Sequence, residues 1–418
     1  MFKRLYAYFT SNNIIYEKQF GFRKNYSTEM ALLSAVDTIT ESLDNKKHVL
    51  AIFLDFRKAF DTVDPEILLS KLSHHGVRGI ALRWLRSYLS NRTQRVKLNN
   101  TFSSLRSMTC GVPQGSTLGP LLFLLCINDL PKVLNNITSI IFADDTSLFF
   151  SGDNLEAMTS ELNAQLSELL TWLQANKLSL NLSKTFSMLF TLSHNAYSTD
   201  LQIKINDTEI KRVRTIKFLG VIFDDKLTWA DHVIHTSNKI AKSIGIINKI
   251  KHSLSKETLI TLYYSLIYPY LIYCLLVWGS ASPTTLEKIF ILQKRVLRLI
   301  TLSNYNEHTL PLLKAAMILP FNELYKYLCS IFVFKYLKCE YPESFRSIFN
   351  PFSVRVQSCT RLASVGHYVL PYSRTKLRQN FLLSHAVKLY NEFILPLNLI
   401  EHSYSLNSFK RSLKNILL

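Results

Sequence analysis

Apolar residues in the first half of the chain recur at helical spacing in some segments and form short uninterrupted runs in others. In residues 27–44, Met30, Leu33 and Val36 fall on one helical face, which predicts a helix capped by Ser27 or Thr28. The same spacing predicts further helices over residues 65–72, 80–89, 118–130 and 154–175. These helices would each bury one apolar stripe.

The uninterrupted runs predict strands. Residues 48–56 hold an apolar run of the length expected for a buried central strand. Two more runs, 137–142 and 146–150, flank Ala143-Asp144-Asp145, which predicts a hairpin with an acidic turn. Residues 95–108 alternate as a hairpin does. Other strands are expected at residues 178–190, 201–205, 210–214 and 217–223, with a turn at Asn206-Asp207.

The pattern becomes largely helical beyond Trp229, remains so to Leu337, and is less regular from Pro342 onward. Before Trp229, helices and strands are mixed without strict alternation. This order predicts an α+β body followed by a mostly α-helical appendage.

The excess of positive over negative charge is concentrated in that second half. The net charge is +19; residues 1–231 hold 26 basic and 22 acidic side chains, whereas residues 232–418 hold 23 basic and 8 acidic. Asp231 is the last aspartate, so the tail cannot provide an aspartate-based active site. Such a basic region favours a polyanionic partner, nucleic acid ahead of an anionic membrane, although the charges could also simply solvate a helical domain.

One uncharged stretch, Leu259 to Trp278, is long enough to cross a bilayer. It contains five tyrosines and Pro269, so we expect a buried helical pair broken at the proline and no stable membrane association. Six cysteines without a CxxC pair, and no secretory leader, predict a reducing intracellular setting, with nucleus and cytoplasm both open. The thiols are expected to be small core residues.

Three aspartates carry the candidate chemistry. Asp55 ends the predicted central strand, and Asp144 and Asp145 form the turn of a hairpin that can pair beside it. Three carboxylates at one sheet edge repel one another unless cations lie between them. Oxygen ligands suit Mg²⁺, and two such ions can align an attacking 3′ oxygen with a leaving pyrophosphate. Nucleotidyl transfer is one hypothesis; an ordinary hairpin turn beside a strand-end aspartate is the other.

The surrounding segments resemble the reverse transcriptases of non-LTR (LINE-type) retrotransposons, particularly the jockey-like group. Phe142-Ala143-Asp144-Asp145 is similar to the catalytic hairpin box of that family, and Leu54 to Val63 is similar to its first catalytic box. The other similar boxes are Gln19 to Arg23 with Ser27-Thr28 in the fingers, Gly111 to Ser116 with Leu118-Gly119-Pro120 near template and nucleotide, Leu182 to Thr185 after the palm helix, and Phe218-Leu219-Gly220 in the primer grip. They follow the family's order over about half of the chain.

The resemblance implies an RNA-directed DNA polymerase that extends a DNA primer on an RNA template with dNTPs. Asp55 and Asp144 would bind two Mg²⁺ ions, with Mn²⁺ as the alternative metal, and Asp145 would support the site. Lys184 would protonate the pyrophosphate, or else be a surface lysine.

Further residues would contact substrate. Arg23 would meet the triphosphate. Phe60 would exclude a 2′-hydroxyl, unless it is a core aromatic. Gln114 and Gly115 would line the nucleotide pocket, where glycine permits close backbone approach. The primer grip would consist of Phe218, Leu219 and Gly220.

The resemblance also implies an α+β fold with a right-hand polymerase palm, an antiparallel sheet with packed helices. Expected regions are residues 1–47 as partial fingers, 48–230 as palm, 231–340 as a basic helical thumb-like region, and 341–418 as a basic region of unknown role. The chain begins inside the first fingers box, which predicts an N-terminally truncated polymerase. An inactive remnant that binds RNA or RNA-DNA hybrid is the second hypothesis, and a membrane-associated protein is the third. Oligomeric state stays open.

Overall fold

A computed structural model describes residues 1–193, 201–352, 367–401, 403 and 405–418. The chain divides into two units. The first contains Met1–Ala31 and Asn45–Val213, and the second contains Leu32–Asp44 and Arg214–Leu418.

The first unit combines helices with short and long strands. Its helices, with α2 continuing into the second unit, are α1 Phe2–Ser11, α2 Thr28–Asp44, α3 Pro65–His74, α4 Gly79–Leu89, α5 Gly119–Cys126 and α6 Leu155–Ala175. Its strands are β1 His48–Leu54, β2 Arg92–Gln94, β3 Lys97–Leu98, β4 Thr101–Phe102, β5 Arg106–Met108, β6 Ile137–Phe142, β7 Asp145–Gly152, β8 Phe186–Phe190, β9 Lys204–Ile205 and β10 Thr208–Glu209. Two 3₁₀ turns lie at Leu130–Val133 and Leu182–Lys184.

A four-stranded antiparallel sheet in the order β6-β7-β1-β8 forms the centre of this unit. All of β1 after His48 is buried, as its continuous apolar run predicts. Leu54 pairs with Thr146, and Phe142 pairs with Asp145 across the hairpin turn. The carboxyl end of β1 therefore lies beside the β6–β7 turn, which confirms the α+β fold and the predicted antiparallel pairing.

Side-chain caps begin the helices that cover the sheet. The Asp64 carboxylate accepts the backbone N–H groups of Glu66 and Ile67 at the start of α3, and Asn154 caps α6 in the same way. The predicted apolar stripe of α6 is buried except at its first member, Leu155, which is partly exposed. The buried members are Met158, Leu162, Leu166, Leu169 and Leu173.

The second unit is mostly helical, as predicted. Its hairpin consists of β11 Thr215–Phe218 and β12 Val221–Asp224. Its further helices are α7 Ala230–Ile250, α8 Lys256–Leu266, α9 Tyr268–Ile272, α10 Leu275–Trp278, α11 Pro283–Thr301, α12 Thr309–Ala315, α13 Phe321–Leu337, α14 Glu343–Ile348, α15 Lys376–Asn380, α16 Leu382–Leu389 and α17 Leu406–Leu417, with a π-helical turn at Tyr390–Ile394.

The uncharged stretch of this unit is interrupted beside Pro269, as predicted, but a second break at Tyr273-Cys274 divides it into three helices, α8, α9 and α10, instead of the expected pair. Tyr263 is buried and accepts a hydrogen bond from Gln293 Nε2 at 3.0 Å, whereas Tyr270 and Tyr273 remain exposed. In the described ranges, no helix has both the length and the apolar character needed to cross a membrane.

A buried ion pair joins the second half of α2 to the C-terminal region of the same unit. Arg378 donates to the Asp37 carboxylate and, at 2.9 Å, to Thr40 Oγ1. Both charged side chains are largely buried. Nearby, the Asp44 carboxylate accepts the backbone N–H of Thr375 at 2.7 Å. These contacts attach a helix near the start of the chain to residues 331 and 341 positions later.

Several predicted strands are shorter or divided in the structure, and the one expected at residues 210–214 is not a strand. Of residues 178–190, only β8 is a strand, because Asn181 donates its N–H to the backbone carbonyl of Asp55 and the chain turns there. Residues 217–223 are parts of two strands, since Leu219 and Gly220 adopt φ values of +45° and +86° and form a turn. Residues 201–205 are extended only in β9, whereas 210–214 contribute a single bridge to β8.

The cysteines follow their prediction in part. Cys126, Cys274 and Cys329 are buried, but Cys339 is exposed and Cys110 is partly exposed. Cys359 lies outside the described residues.

Candidate active site

The structure brings the three predicted aspartates to one edge of the sheet. Asp55 immediately follows β1, and the β6–β7 hairpin turns through Ala143 and Asp144 into Asp145. Ala143 has φ of +58°. A left-handed conformation costs a non-glycine residue about 1–2 kcal/mol, so neighbouring contacts must hold this turn.

Gln19 provides such a contact. Its Oε1 accepts the backbone N–H of Ala143 at 3.1 Å and that of Gly21 at 2.8 Å, and the residue is 2% exposed. The backbone beside it is also attached to β6, because Phe20 donates its N–H to the Ile141 carbonyl at 2.7 Å. One buried side chain therefore satisfies a backbone N–H at the acidic turn.

Gly21 packs directly against that turn. A Cβ atom at this position would lie 2.3 Å from the backbone nitrogen of Ala143. Only glycine permits this approach. Gln19 and Gly21 belong to the segment that resembles a fingers box, but their role was not predictable, because Ala143 is 124 positions away from Gln19 and no local pattern indicates that contact.

The electrostatics of the turn reflect three neighbouring carboxylates. Burial, together with the charges of Asp144 and Asp55, raises the pKa of Asp145 to about 6, and burial is the largest of these causes. The residue retains solvent exposure, so water screens part of this repulsion. A cation beside these oxygens would relieve it.

The donor set fits such a cation in part. Within the part of the chain that the structure describes, no three His, Cys, Asp or Glu side chains form a ready metal site. The aspartates provide only oxygen ligands, which suit Mg²⁺. Mg²⁺ commonly keeps water and takes substrate phosphates as ligands, so an incomplete protein shell is compatible with it.

A turn after α6 clamps the backbone of Asp55. The Asp55 carbonyl accepts the Asn181 N–H at 2.7 Å, and its own N–H donates to Thr185 Oγ1 at 3.4 Å. Lys184 lies between these two partners in a 3₁₀ turn, with an exposed side chain. The predicted acid therefore belongs to the segment that positions the first aspartate.

The predicted nucleotide loop is exposed and anchored at its start. Gln114 Nε2 donates to Asp61 Oδ1 at 2.8 Å, which holds the side chain toward the segment after β1. A Cβ at Gly111 would lie 2.8 Å from the Asp61 carbonyl oxygen. Gly115 has φ of +77° and open space around its Cα, so a ligand could approach its backbone.

Phe60 lies at the margin of the core. Its ring stacks on Phe123 with centroids 4.2 Å apart and meets the exposed Phe22 edge-on at 6.1 Å. The residue is partly buried. This placement leaves one part of the ring accessible while the stacking fixes its orientation.

Arg23 is engaged with the protein backbone. Its Nη1 donates to the carbonyl oxygens of Gln19 at 3.0 Å and Tyr16 at 3.2 Å, and its guanidinium lies 4.0 Å from the Tyr26 ring centroid. Burial lowers its pKa. Arg23 thus supports the loop that carries Gln19, and its contact with a triphosphate stays a prediction.

The predicted primer-grip turn belongs to the second unit. Leu219 accepts a hydrogen bond at its carbonyl from the Tyr273 hydroxyl at 2.7 Å, and a Cβ at Gly220 would lie 3.0 Å from the Tyr273 ring. Phe218 is buried. A cavity of about 310 Å³ adjoins the turn; it is lined by Lys217, Gly220, His232, His235, Thr236, Lys239, Pro269, Tyr270 and Tyr273. Basic and aromatic side chains therefore meet at this turn.

Comparison with known proteins identifies the family of the chain that carries this site. Residues 1–223 match the family model described as reverse transcriptase (RNA-dependent DNA polymerase). The chain is 30% identical over 294 residues to the RNA-directed DNA polymerase from mobile element jockey of Drosophila melanogaster, covering 68% of this chain and 32% of that protein. It is 29% identical over 317 residues to the probable RNA-directed DNA polymerase from transposon BS of the same species, covering 71% and 34%.

Among solved structures, apo telomerase from Candida tropicalis has a TM-score of 0.41 and 13% identity, with 81% of this chain and 58% of that chain covered. The chain spans about a third of the length of the curated relatives named above. Because the family model covers more than half of the residues, including both aspartate segments, the chain belongs to the reverse transcriptase family.

Proposed function

We propose that this chain is the RNA-directed DNA polymerase of a non-LTR retrotransposon and extends a DNA primer on an RNA template with dNTPs. The observation that carries the proposal is the meeting of Asp55 with the Asp144-Asp145 turn in a chain of the reverse transcriptase family. Regions 1–47, 48–230, 231–340 and 341–418 would serve as partial fingers, palm, thumb-like region and basic extension.

Asp55 and Asp144 would hold two Mg²⁺ ions, with Mn²⁺ as a substitute. When bound, the ions would lower the pKa of the primer hydroxyl and stabilise charge on the leaving pyrophosphate. Asp145 would add negative charge beside both ligands. Burial and the charges of Asp144 and Asp55 raise its pKa, and cation binding would relieve the part that is due to repulsion.

In the reaction, the primer 3′ oxygen forms a bond to the α-phosphorus of the dNTP, and the bond from that phosphorus to the pyrophosphate oxygen breaks. The 3′-hydroxyl proton leaves to solvent. Lys184 would donate a proton to the departing pyrophosphate, and Arg23 would contact the triphosphate after exchanging part of its backbone hydrogen bonding.

Phe60 would select the sugar. Its stacking on Phe123 fixes a bulky ring that a 2′-hydroxyl would clash with, while Gln114 and the backbone of Gly115 would line the same pocket. Phe60→Ala should therefore increase ribonucleotide use and largely spare deoxynucleotide use. An unchanged rNTP/dNTP ratio would assign Phe60 to the core alone.

Phe218, Leu219 and Gly220 would hold the primer end. The basic second half would hold the duplex electrostatically. A chain that binds RNA or RNA-DNA hybrid without polymerising is the second candidate, and the excess of positive charge after Asp231 supports it equally well.

Primer extension by the purified chain separates the two candidates. A labelled DNA primer on an RNA template is incubated with dNTPs and Mg²⁺, and binding is measured by fluorescence anisotropy in the same buffer. Extension by the wild type and its loss in Asp144→Ala, with binding retained, are the expected results. Tight binding without incorporation by the wild type would favour the binding remnant.

A further inference from the structure

A β-arm in the first unit is almost entirely exposed. The arm comprises residues 92–108, in which β2 pairs with β5 and β3 pairs with β4. Every residue from 93 to 107 is solvent-exposed. Two-stranded ribbons of this kind are at best marginally stable alone in water. The arm therefore has the properties of an element that gains packing from a partner.

The arm also exposes large apolar side chains. Val96 is 69% exposed, Leu98 74%, Phe102 47% and Leu105 63%. Such a concentration of exposed apolar side chains on one short element indicates a contact surface. The apolar side chains do not indicate which kind of partner binds. The charged side chains of the arm do indicate it.

The arm lies in a long stretch without acidic residues. Residues 67–128 contain eight Lys and Arg side chains and no Asp or Glu. Outside the arm, Lys71 is paired with Asp129 and Arg86 with Glu66. The three outer cations of the arm are exposed and take part in none of the ion pairs between described residues; they are Arg95, Lys97 and Arg106.

Two of these cations stand on the exposed aromatic ring of the arm. The Arg95 guanidinium carbon lies 4.0 Å from the Phe102 ring centroid, and the Lys97 amine lies 5.4 Å from it. Proteins that bind single-stranded nucleic acid neutralise its phosphates with cations and stack its bases on aromatic rings. Cations around an accessible aromatic ring can provide both interactions.

The base of the arm is attached to the predicted nucleotide loop. Arg92 donates to the backbone carbonyls of Cys110 (2.9 Å) and Gly111. The same loop continues to Gln114 and Gly115. A nucleic-acid strand bound to the arm would therefore be held by an element that is connected to that loop both along the chain and through the Arg92 hydrogen bonds.

We infer that the arm binds a single-stranded nucleic acid, with Arg95, Lys97 and Arg106 neutralising phosphates and Phe102 stacking on a base. Binding of such a strand follows from the arm alone. Its identification as the RNA template rests on the proposed polymerase function.

Binding of a 20-nucleotide RNA, the matching DNA and the RNA-DNA hybrid to the full chain tests this inference. The arm variant is Arg95→Gln, Lys97→Gln, Arg106→Gln. The control variant, Lys46→Gln, Lys47→Gln, Lys132→Gln, removes the same charge from exposed positions of the same unit. Affinity is measured by anisotropy between 0.05 and 0.2 M salt, and circular dichroism verifies that each variant is folded.

Three lost phosphate contacts should reduce the slope of log K against log salt by about 2 for single strands, so the wild-type advantage should shrink about 16-fold across this fourfold salt range. Phe102→Ser should weaken single-strand binding without changing the slope. RNA bound more tightly than DNA supports the template assignment, whereas DNA bound more tightly would overturn it.

Equal slopes for the arm and control variants would overturn the inference. So would a wild-type dimer that the arm variant converts to a monomer while nucleic-acid binding is unchanged, because the arm would then be a protein contact. Failure of the wild type to incorporate dNTPs, with the slope difference present, would refute the proposed polymerase function but leave the arm as a nucleic-acid site.

Discussion

Replacing Gln19 with methionine isolates the contribution of one buried side chain to the acidic turn. The substitution keeps the side-chain length but removes the acceptor for the Gly21 and Ala143 N–H groups. Each buried N–H left without a partner costs about 1–3 kcal/mol, so the expected loss of unfolding free energy is about 2–6 kcal/mol. Because Ala143 is in a left-handed conformation, the turn should also shift.

Gln165→Met is the matched control. Gln165 is 8% exposed, and its Oε1 accepts the N–H of Asn135 at 2.8 Å, away from the turn. Its loss should cost about 1–3 kcal/mol. Urea unfolding gives the stability of both variants, and hydrogen exchange of residues 137–152 should show faster exchange at the turn only in Gln19→Met.

Measurements of kcat distinguish a role of Gln19 in positioning the acidic turn from a role in stability alone. A displacement of about 1 Å at a reacting centre can cost about 100-fold in rate, so Gln19→Met should lower kcat by roughly that factor per folded molecule, with KM little changed. Gln165→Met should keep kcat within a few-fold. A Gln19→Met protein that is destabilised as expected but has wild-type kcat would refute the positioning role.

Three further outcomes follow from the structure. Gly21→Ala should disrupt the acidic turn, because its Cβ would lie 2.3 Å from a backbone nitrogen, whereas Gly245→Ala, which has open space in α7, should stabilise the chain by up to about 1 kcal/mol in thermal unfolding. Asp145 has a raised pKa in the folded state, so the folded chain binds its proton more tightly and wild-type stability should fall as pH rises from about 4 to about 6; Asp145→Asn should lack this decline in urea titrations. Arg378→Met should destabilise the second unit by about 3–5 kcal/mol in urea unfolding, because Asp37 would lose its buried counter-ion, and a value below about 1 kcal/mol would contradict that.

The hydrophobic pattern was sufficient to predict those elements whose buried face is determined by their own sequence. The apolar run of β1 and the stripe of α6 specify buried faces, and the structure confirms both. The acidic turn was predictable because two β-prone runs flank it. The sequence also indicated that Asp55 could lie beside this turn, since β1 and the hairpin needed a common sheet.

Long-range hydrogen bonds account for most of what the pattern missed. The strand predicted for residues 178–190 is interrupted where Asn181 bonds to Asp55, more than a hundred positions earlier. Gln19 looks like an ordinary polar residue in a short segment, and its importance becomes visible only when Ala143 packs against it. Hydrophobic periodicity carries no information about such polar partners.

Single-turnover primer extension on an RNA template tests the central claim most directly, with wild type, Asp144→Asn and the control Asp153→Asn compared at saturating dNTP and Mg²⁺. Asp153 is exposed at the other end of β7, so its substitution should leave the rate unchanged. Asp144→Asn should bind the primer-template normally but lose at least about a thousandfold in rate, ~4 kcal/mol of barrier stabilisation. A rate within about tenfold of wild type, ~1.4 kcal/mol, would contradict the assignment of these aspartates as the polymerase site.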